Sequence, residues 1–290
     1  MSDDSAFIAS IEALAPWVGR QRIVEDDIGL MAVRRIAGML DLDPATFHAG
    51  TALPPHWFSL FFAEVPRQSD IGTDGHPKPG VVLPPIPLPR RMGAGRRVKI
   101  TDCLRAGEPA RKIAEVAAIT PKIARSGRIA VLTLRHSIEI GGKVIAVDEF
   151  DAVYREAVPP GQKTTATVPA RAPTDGAWTA RAVLSEALVF RYSAVTWNAH
   201  RIHYDADYSR QEEGYPHTVS NGGLTMQLLL DAALGNTDRK LVGYTARLTS
   251  PLYVGQTVTL AGRAVADGTM TAWAANDDGA LCAEMALEFA

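Results

Sequence analysis

The sequence predicts an α+β protein in which one unit of about 150 residues occurs twice. First, residues 99–107 and 247–255 share a basic residue, an aliphatic residue, Thr, Leu and Gly in the same register. Second, each copy leads into strand-like segments and a turn that contains Gly. Third, a segment with helical apolar spacing precedes each copy. Together these observations indicate a duplicated unit of one buried helix and several antiparallel strands.

Two helices are predicted, one ahead of each copy of the repeat. Ile28–Leu40 has one apolar face, and the two Asp residues at 26–27 supply a capping start. Gly222–Leu234 is apolar on nearly all sides, which is typical of a buried helix. Asn221 is expected to be its N-cap and Gly235 its end.

The strands of each half follow its helix, so the pattern favours antiparallel sheets over alternating strand–helix–strand units. In each half a first strand leads through a Gly-containing turn, at 141–142 and at 278–279, into a final strand. The predicted strands are Ile113–Ile119 and Val144–Tyr154 in the first half, and Thr257–Val265 and Leu281–Phe289 in the second.

Two proline-rich segments are predicted to connect rather than fold. Thr73–Arg91 contains six prolines, too many for a helix or strand, and is expected to be an extended loop. Pro159–Ala177 combines prolines with small polar residues and is the expected linker. The predicted domains are therefore residues 1–158 and 179–290, with a linker at 159–178.

Composition restricts the class of partner. The 290 residues are 47% hydrophobic and 21% charged, with a formal net charge of −2. Nucleic-acid binders carry a basic excess, so no nucleic acid and no membrane is expected as a partner. Two cysteines exclude a disulfide framework and a Cys-rich zinc site. An acidic N-terminus without an apolar spanning segment predicts a cytoplasmic protein.

The densest run of chemically active side chains is residues 190–205. Three of the seven histidines, His200, His203 and His217, lie within 18 residues there and just beyond. Imidazole can both accept and release a proton near neutral pH. We therefore expect the chemistry to lie in this run, just ahead of the buried second helix.

This run resembles the signature of the MaoC-like, or R-specific, enoyl-CoA hydratases, approximately Thr-Gly-Asp-x-Asn-Pro-x-His-x-Asp. Thr196, His203 and Asp205 match it, and Asn198 stands where the family has its catalytic Asp. A second family element, roughly Val-x-His-Gly-x-Leu, falls on residues 219–224. Its Gly and Leu match, while its His is Asn221 in this chain.

The departures resemble one two-domain branch, which includes mesaconyl-C4-CoA and itaconyl-CoA hydratases and type 2 hydroxyacyl-thioester dehydratases. Leu83–Gly95 is similar to the proline-rich stretch of their FAS1-like dehydratase domain, and Arg125–Gly127 and Asp148–Arg155 agree in position. The resemblance implies a double hotdog, in which a FAS1-like N-terminal hotdog domain precedes a MaoC-like C-terminal one. It further implies reversible hydration of an enoyl-CoA, with a C5 dicarboxylic acyl group such as mesaconyl-C4-CoA or itaconyl-CoA giving citramalyl-CoA.

The resemblance assigns the catalytic roles to His203 and Asn198. His203 is expected to move the proton between water and the α-carbon. Asn198 cannot titrate, but its amide can orient the attacking water. Asp205 is expected to orient a neighbour or to cap a helix. The helix start at Asn221, Gly222 and Gly223 offers backbone N–H groups for the thioester oxygen.

Basic residues are the candidates for substrate binding. Arg201 has the forked guanidinium that suits a carboxylate, although it could equally bind a CoA phosphate or face solvent. His200 is a further candidate contact. Arg90 and Arg91, followed by the pair at 96–97, are either a patch for the CoA phosphates or solvated charges.

Other functions stay open at this point. The enzyme could be a 3-hydroxyacyl-thioester dehydratase that acts on monocarboxylic acyl-CoA or acyl-ACP. Loss of the family Asp also allows a non-catalytic acyl-CoA-binding subunit. A thioesterase is disfavoured because no acid stands at Asn221 or Gly222, and a metal site made from the histidines and Asp205 lacks helical spacing. No cofactor is expected, and the chain is expected to be a monomer or a homodimer of double hotdogs.

Overall fold

The computed structural model describes residues 3–124, 127–157, 169–266 and 268–290. The helices are α1 (Asp3–Glu12), α2 (Leu30–Met39), α3 (Glu186–Val195), α4 (Ala206–Gln211) and α5 (Gly222–Leu234). The first-half strands are β1 (Gln21–Asp26), β2 (Arg90–Ile100), β3 (Ala110–Ala124), β4 (Gly127–Ile140) and β5 (Lys143–Arg155). The second-half strands are β6 (Trp178–Val183), β7 (Leu241–Leu248), β8 (Thr257–Ala266), β9 (Thr269–Ala275) and β10 (Leu281–Phe289).

All ten strands form one antiparallel sheet in the order β1-β3-β4-β5-β2-β7-β10-β9-β8-β6. The two halves meet where β2 pairs with β7. Outward from this pair, the strands follow in equivalent order, β2-β5-β4-β3-β1 on one side and β7-β10-β9-β8-β6 on the other. Alternate residues of β4 are buried, as expected for strands with one face on a core. The predicted α+β fold with two copies of one unit is therefore confirmed.

The sequence repeat marks equivalent turns in the two halves. Residues 99–107 run from the end of β2 and residues 247–255 from the end of β7. The shared leucines, Leu104 and Leu252, are both buried in the same hydrophobic core. The shared Gly107 and Gly255 have φ angles of +79° and +92°, a backbone conformation that favours glycine. The repeat is thus structural and sets the two turns that lead into β3 and β8.

The helices differ between the halves more than the sequence predicted. Helix α5 packs across β7, β8 and β9, as predicted for a buried helix. We paired it with α2, and this was wrong, because α2 follows β1 as α3 follows β6, and α2 packs against α3. In the first half the longest helical segment between α2 and β2 is the single turn Trp57–Leu60. None of the described helices is both long and apolar enough to span a bilayer.

The predicted cap of α2 was also wrong. The helix begins after Gly29, and no side chain caps it. Asp26 instead accepts hydrogen bonds from the N–H groups of Ile28 and Phe62, both at 2.9 Å. These two residues have positive φ angles of 46° and 62°, so the carboxylate holds two strained backbone positions.

The connecting segments agree with the sequence in part. Residues 73–89 form neither helix nor strand, as predicted, and β2 begins at Arg90. Residues 159–168 of the predicted linker, and 125–126 of the family-like segment, lie outside the described residues. Strand β6 begins at Trp178, the last residue of that linker. The boundaries between the two domains stay a prediction.

Candidate active site

A cavity of about 2050 Å³ is lined by both halves of the chain. The first half contributes the proline-rich loop and the start of β2. The second half contributes α3, the segment that follows it, and the start of α5. Four residues predicted to be functional, His203, Asn198, His200 and Arg201, line this cavity with the predicted helix start. The sheet therefore supports one site built between the halves.

His203 lies on the single helical turn Arg201–His203. Its Nδ1 donates a hydrogen bond to the carbonyl oxygen of Val219 at 2.7 Å, because a carbonyl can only accept. Burial lowers the pKa of His203 to about 4, although this hydrogen bond opposes the shift. The imidazole is therefore neutral at pH 7, with its proton on Nδ1 and a lone pair on Nε2.

Asn198 lies between α3 and that turn. Its side-chain oxygen accepts a hydrogen bond from the backbone N–H of His200 at 3.0 Å. The backbone N–H of Asn198 donates to the carbonyl oxygen of Ser193 at 2.8 Å. The preceding Trp197 has a φ of +54°, a conformation that ordinary residues rarely adopt. The side-chain amide is thus fixed at the cavity wall, with one acceptor site already in use.

His200 lies next to a histidine of the other half, His76. The two ring centroids are 4.0 Å apart, and the ring of His203 lies edge-on to His200 at 5.6 Å. Burial and then the neighbouring imidazoles lower the pKa of His200 to about 2. Behind His76, Asp74 accepts the Nδ1 proton of that ring at 2.9 Å. Three imidazoles and one carboxylate therefore meet at the cavity wall.

Arg201 was predicted to bind a substrate carboxylate, but its guanidinium is occupied. Nη2 donates to Asp205 at 2.6 Å and Nη1 donates to the carbonyl oxygen of Thr73 at 3.1 Å. The guanidinium also lies over the ring of Tyr208. Asp205 in turn caps α4 by accepting the N–H of Tyr208 at 2.9 Å. Arg201 and Asp205 therefore tie the signature segment to the loop of the first half.

Helix α5 starts at the cavity with the two predicted glycines. Gly222 and Gly223 line the cavity, and their N–H groups have no acceptor within the helix. A side chain at Gly223 would overlap the hydroxyl of Tyr192, so only glycine fits there. Asn221 occupies the N-cap position, but its side chain bonds to the hydroxyl of Ser193 at 3.3 Å and does not cap. The helix start can therefore donate to a ligand oxygen.

The four arginines at 90–97 do not form one patch. Arg90 is buried and pairs with Glu213 at 2.7 Å, so it is neither solvated nor open to a CoA phosphate. Arg96 is turned inward onto the buried Asp148. Arg97 lies on the outer face of β2, in ion pairs with the acidic residues at 149 and 151. The sequence left a phosphate patch and solvated charges open, and the four side chains do not form a single patch, because successive residues of a strand face opposite sides.

Arg91 differs from its neighbours. It is half-buried, lines the cavity and forms no ion pair with a carboxylate of the described chain. Burial is the main cause of the lowered pKa values of His76 and His200, and the charge of Arg91 adds to it, so Arg91 acts on the same corner of the cavity. It is the cation that can meet a charged substrate at this corner.

A metal site is not favoured by the geometry. Among the described residues, Asp74, His76 and His200 are close enough to share an ion. The rings of His76 and His200 contact each other at a tilt of 38°, however, and the Asp74 carboxylate already accepts both N–H groups of His76. The set considered from the sequence does not assemble: His217 is exposed and, like Asp205, does not line the cavity.

The chain is similar to known proteins in sequence and in fold. A family model described as hydroxyacyl-thioester dehydratase type 2 matches residues 56–254, which contain every cavity element described above. The chain belongs to the hydroxyacyl-thioester dehydratase type 2 family. A mesaconyl-C4-CoA hydratase of Chloroflexus aurantiacus is 41% identical over 238 residues, covering 82% of this chain and 84% of that protein. This chain is therefore a hydro-lyase, as the sequence predicted.

Solved structures agree on the fold of this chain. A MaoC-like dehydratase of Phytophthora capsici superposes with a TM-score of 0.70 at 12% identity, covering 97% of this chain and 98% of that one. A Mycobacterium tuberculosis protein described as a double hotdog superposes with a TM-score of 0.62 at 14% identity, covering 96% and 97%. The predicted double hotdog is therefore confirmed.

Two residues of the cavity wall were not predicted from the sequence. Asp74 and His76 lie in the loop that we treated as a connector. The available signal was an Asp-Gly-His-Pro run, because an Asp two residues before a His on a tight turn can bond to the imidazole. The sequence did predict Arg91 as a binding residue, but as a candidate contact for the CoA phosphates.

Proposed function

We propose that this chain adds water to the double bond of a C5 dicarboxylic enoyl-CoA, mesaconyl-C4-CoA, and so forms citramalyl-CoA. The observation that carries the proposal is that the neutral base His203 and the cation Arg91 line the same cavity. The itaconyl group is an isomer of the mesaconyl group, so itaconyl-CoA is the second substrate to test.

His203 supports the proton transfer. Its Nε2 makes no hydrogen bond to a described residue, and the lone pair can accept a proton from water. As the water oxygen bonds to the β-carbon, the π electrons move toward the thioester carbonyl. The same proton then passes from Nε2 to the α-carbon, so the imidazole ends as it began.

The start of α5 supports stabilisation of the enolate. The negative charge that develops on the thioester oxygen requires donors that already point at it. The N–H groups of Gly222 and Gly223 and the positive end of the helix dipole supply such donors. Asn221 contributes by bonding to Ser193, which fixes the helix start against α3.

Arg91 supports the dicarboxylic substrate. In a mesaconyl-C4 thioester the free carboxylate is attached to the β-carbon, the atom that receives the water. A cation that recognises this carboxylate must therefore lie near the base. Arg91 acts electrostatically on His76 and His200, the latter of which contacts His203. The role that the sequence gave to Arg201 is better matched by Arg91.

A panel of thioesters tests the proposal. The purified protein is incubated with mesaconyl-C4-CoA, itaconyl-CoA and crotonyl-CoA, and mass spectrometry records the gain of one water. We expect the greatest kcat/KM with mesaconyl-C4-CoA. No gain of water with any of the three would overturn the hydratase function.

The family match favours a second candidate, dehydration of monocarboxylic 3-hydroxyacyl thioesters. The 3-hydroxybutyryl thioesters of CoA and of acyl carrier protein, followed by loss of water, test it directly. Turnover of these alone, with none of citramalyl-CoA, would favour it over the first proposal. A cytoplasmic location, and a monomer or a homodimer of double hotdogs, complete the proposal.

A further inference from the structure

Asp74 and His76 form a carboxylate–imidazole pair on a turn of the first half. The two oxygens of Asp74 accept the backbone N–H and the Nδ1–H of His76, at 3.0 and 2.9 Å. With the proton held on Nδ1, the lone pair of His76 is on Nε2, on the opposite side of the ring. Both residues line the cavity, and 17% of the His76 side chain is exposed.

The turn that carries this pair is fixed to the signature segment of the second half. The N–H of Arg201 donates to the carbonyl oxygen of Asp74 at 2.9 Å. Gly75, with a φ of +89°, lies so close to Ala199 that a Cβ would overlap the Ala199 carbonyl oxygen. The pair is therefore held beside residues 199–201, between the predicted catalytic positions 198 and 203.

Among the described residues of the second half, no carboxylate is bonded to His203. Position 198 is Asn, and Asp205 is turned away into its contacts with α4 and Arg201. Of the three other carboxylates of the described cavity wall, Glu64 and Glu213 are in ion pairs with arginines, and Glu186 is exposed. Among the described residues that line the cavity, Asp74 is the carboxylate that is bonded to a histidine.

We propose that Asp74 and His76 complete the hydratase site, with the Asp74-held imidazole of His76 accepting a hydrogen bond from the attacking water in place of a carboxylate at position 198. This inference rests on the proposed function. His76 touches the water and is a catalytic residue, whereas Asp74 acts through it and is a positioning residue.

The roles of the two imidazoles then differ. Water releases one proton to Nε2 of His203, its oxygen bonds to the β-carbon, and that proton returns to the α-carbon. Its second hydrogen stays on the oxygen throughout, bonded to Nε2 of His76, so His76 undergoes no net change. The ring of His200 neighbours both imidazoles, with centroid distances of 4.0 Å to His76 and 5.6 Å to His203. The negative charge of Asp74 strengthens His76 as an acceptor.

Steady-state kinetics of the full chain with mesaconyl-C4-CoA test the pair. For His76→Ala we expect kcat to fall about 100-fold or more, with KM little changed, because the lost interaction is with water. For Asp74→Asn, which keeps the shape and removes the charge, we expect a fall of about 10-fold to 100-fold. Added imidazole should restore activity to His76→Ala, an effect that a structural role would not produce.

A second histidine–aspartate pair provides the matched control. His56 bonds to Asp231 at 2.8 Å, but neither residue lines the cavity. Asp231→Asn therefore removes the same type of contact and should leave kcat and the imidazole response unchanged. Circular dichroism confirms that each variant is folded, and Asp74→Asn decides the matter if His76→Ala does not fold.

The kinetic outcomes distinguish failure of the Asp74–His76 inference from failure of the proposed hydratase function. If the native protein is active and both His76→Ala and Asp74→Asn keep kcat within about twofold of it, the pair has no part in the reaction and the inference is overturned. If the native protein turns over none of the thioesters, the hydratase function fails, and the inference with it. Loss of kcat with rescue by imidazole supports both.

Discussion

The Nδ1–H of His203 is held by the carbonyl oxygen of Val219 at 2.7 Å. This one hydrogen bond fixes the tautomer, and so decides that Nε2, which makes no hydrogen bond to a described residue, is the proton acceptor. Val219 is itself held by the bond of its N–H to the carbonyl oxygen of Ile202 at 2.8 Å. The segment that leads into α5 therefore orients the base, and the start of the same helix provides the N–H donors for the thioester oxygen.

His203→Ala should abolish turnover while leaving substrate binding largely intact. Removal of the group that transfers the proton lowers kcat by about 100-fold to 10,000-fold. Binding of mesaconyl-C4-CoA by calorimetry should stay within about threefold of the native value, because Arg91 and the helix start remain.

His217→Ala is the control for this variant. That histidine is exposed and away from the cavity, so we expect its replacement to leave kcat unchanged. A His203→Ala variant with native turnover would show that the base lies elsewhere. A native protein that binds the thioester but never turns it over would be a binding subunit.

The activity should persist well below neutral pH. Burial lowers the pKa of His203 to about 4, and the reaction needs its unprotonated form. kcat/KM should therefore be level from pH 8 to about pH 5 and should fall only as pH approaches the folded pKa. A pH–rate profile, with circular dichroism at each pH, tests this. A midpoint near 6.5, the ordinary value for histidine, would contradict it.

Gly223→Ala should reduce kcat by blocking the oxyanion donors. The added methyl group would overlap the hydroxyl of Tyr192, so the start of α5 or the ring must move. Loss of one aligned donor costs about 100-fold to 1,000-fold in kcat. The double variant Gly223→Ala/Tyr192→Phe removes the overlapping oxygen and should recover part of the activity.

Tyr192→Phe alone is the control for that pair and should stay close to native. Equal loss in the single and double Gly223 variants, measured at saturating substrate, would show that the clash with Tyr192 is not the cause.

Arg91→Gln should change substrate preference rather than abolish catalysis. A charge-assisted contact to the second carboxylate contributes about 1.5–3 kcal/mol, so kcat/KM for mesaconyl-C4-CoA should fall about 10-fold to 100-fold. Crotonyl-CoA lacks that carboxylate, and its kcat/KM should be little affected. The quantity to measure is the ratio of the two values.

Arg97→Gln is the control, because this arginine is on the same strand but on the outer face of the sheet. It should leave both values unchanged. An equal fall for the two substrates in Arg91→Gln would mean that Arg91 serves a part common to both, such as CoA.

The sequence predicted the elements whose signal is local. Periodic apolar residues and capping positions located α5 well, and the repeat at 99–107 and 247–255 located the two equivalent turns. The sequence wrongly predicted that α2 is the equivalent of α5. Apolar periodicity shows that a helix is buried, but it does not show which strand the helix follows. Helix α3 was hidden within a run read as polar chemistry, although Ser185 caps it by accepting the N–H of Leu188.

The candidate site was predicted only where its residues are near one another in the chain. His203, Asn198, His200 and the helix start belong to one segment with a family signature. Asp74, His76 and Arg91 reach the same cavity from the other half, and no local pattern reports a contact across more than 100 residues. Arg201 is the converse case, because a carboxylate partner, Asp205, is one helical turn away in the chain and occupies its fork.

Acid should destabilise the fold through its buried histidines. Burial and the neighbouring imidazoles lower the pKa of His200 from 6.5 to about 2, and burial lowers that of His203 from 6.5 to about 4. The unfolded chain therefore takes up protons near pH 6.5 that the native state does not bind. Stability is fully present above pH 6.5 and is lost as the pH falls, by about 2 kcal/mol per histidine between pH 7 and 5.

His200→Gln removes one of these groups and should reduce the loss of stability between pH 7 and pH 5, whatever its effect at pH 7. Urea unfolding of both proteins at the two pH values measures this difference. His217→Gln removes an exposed histidine instead of a buried one and should leave the pH dependence as in the native chain. If His200→Gln loses as much stability on acidification as the native protein, then His200 is protonated in the folded state, and the neutral cluster of His76, His200 and His203 on which the site depends does not form.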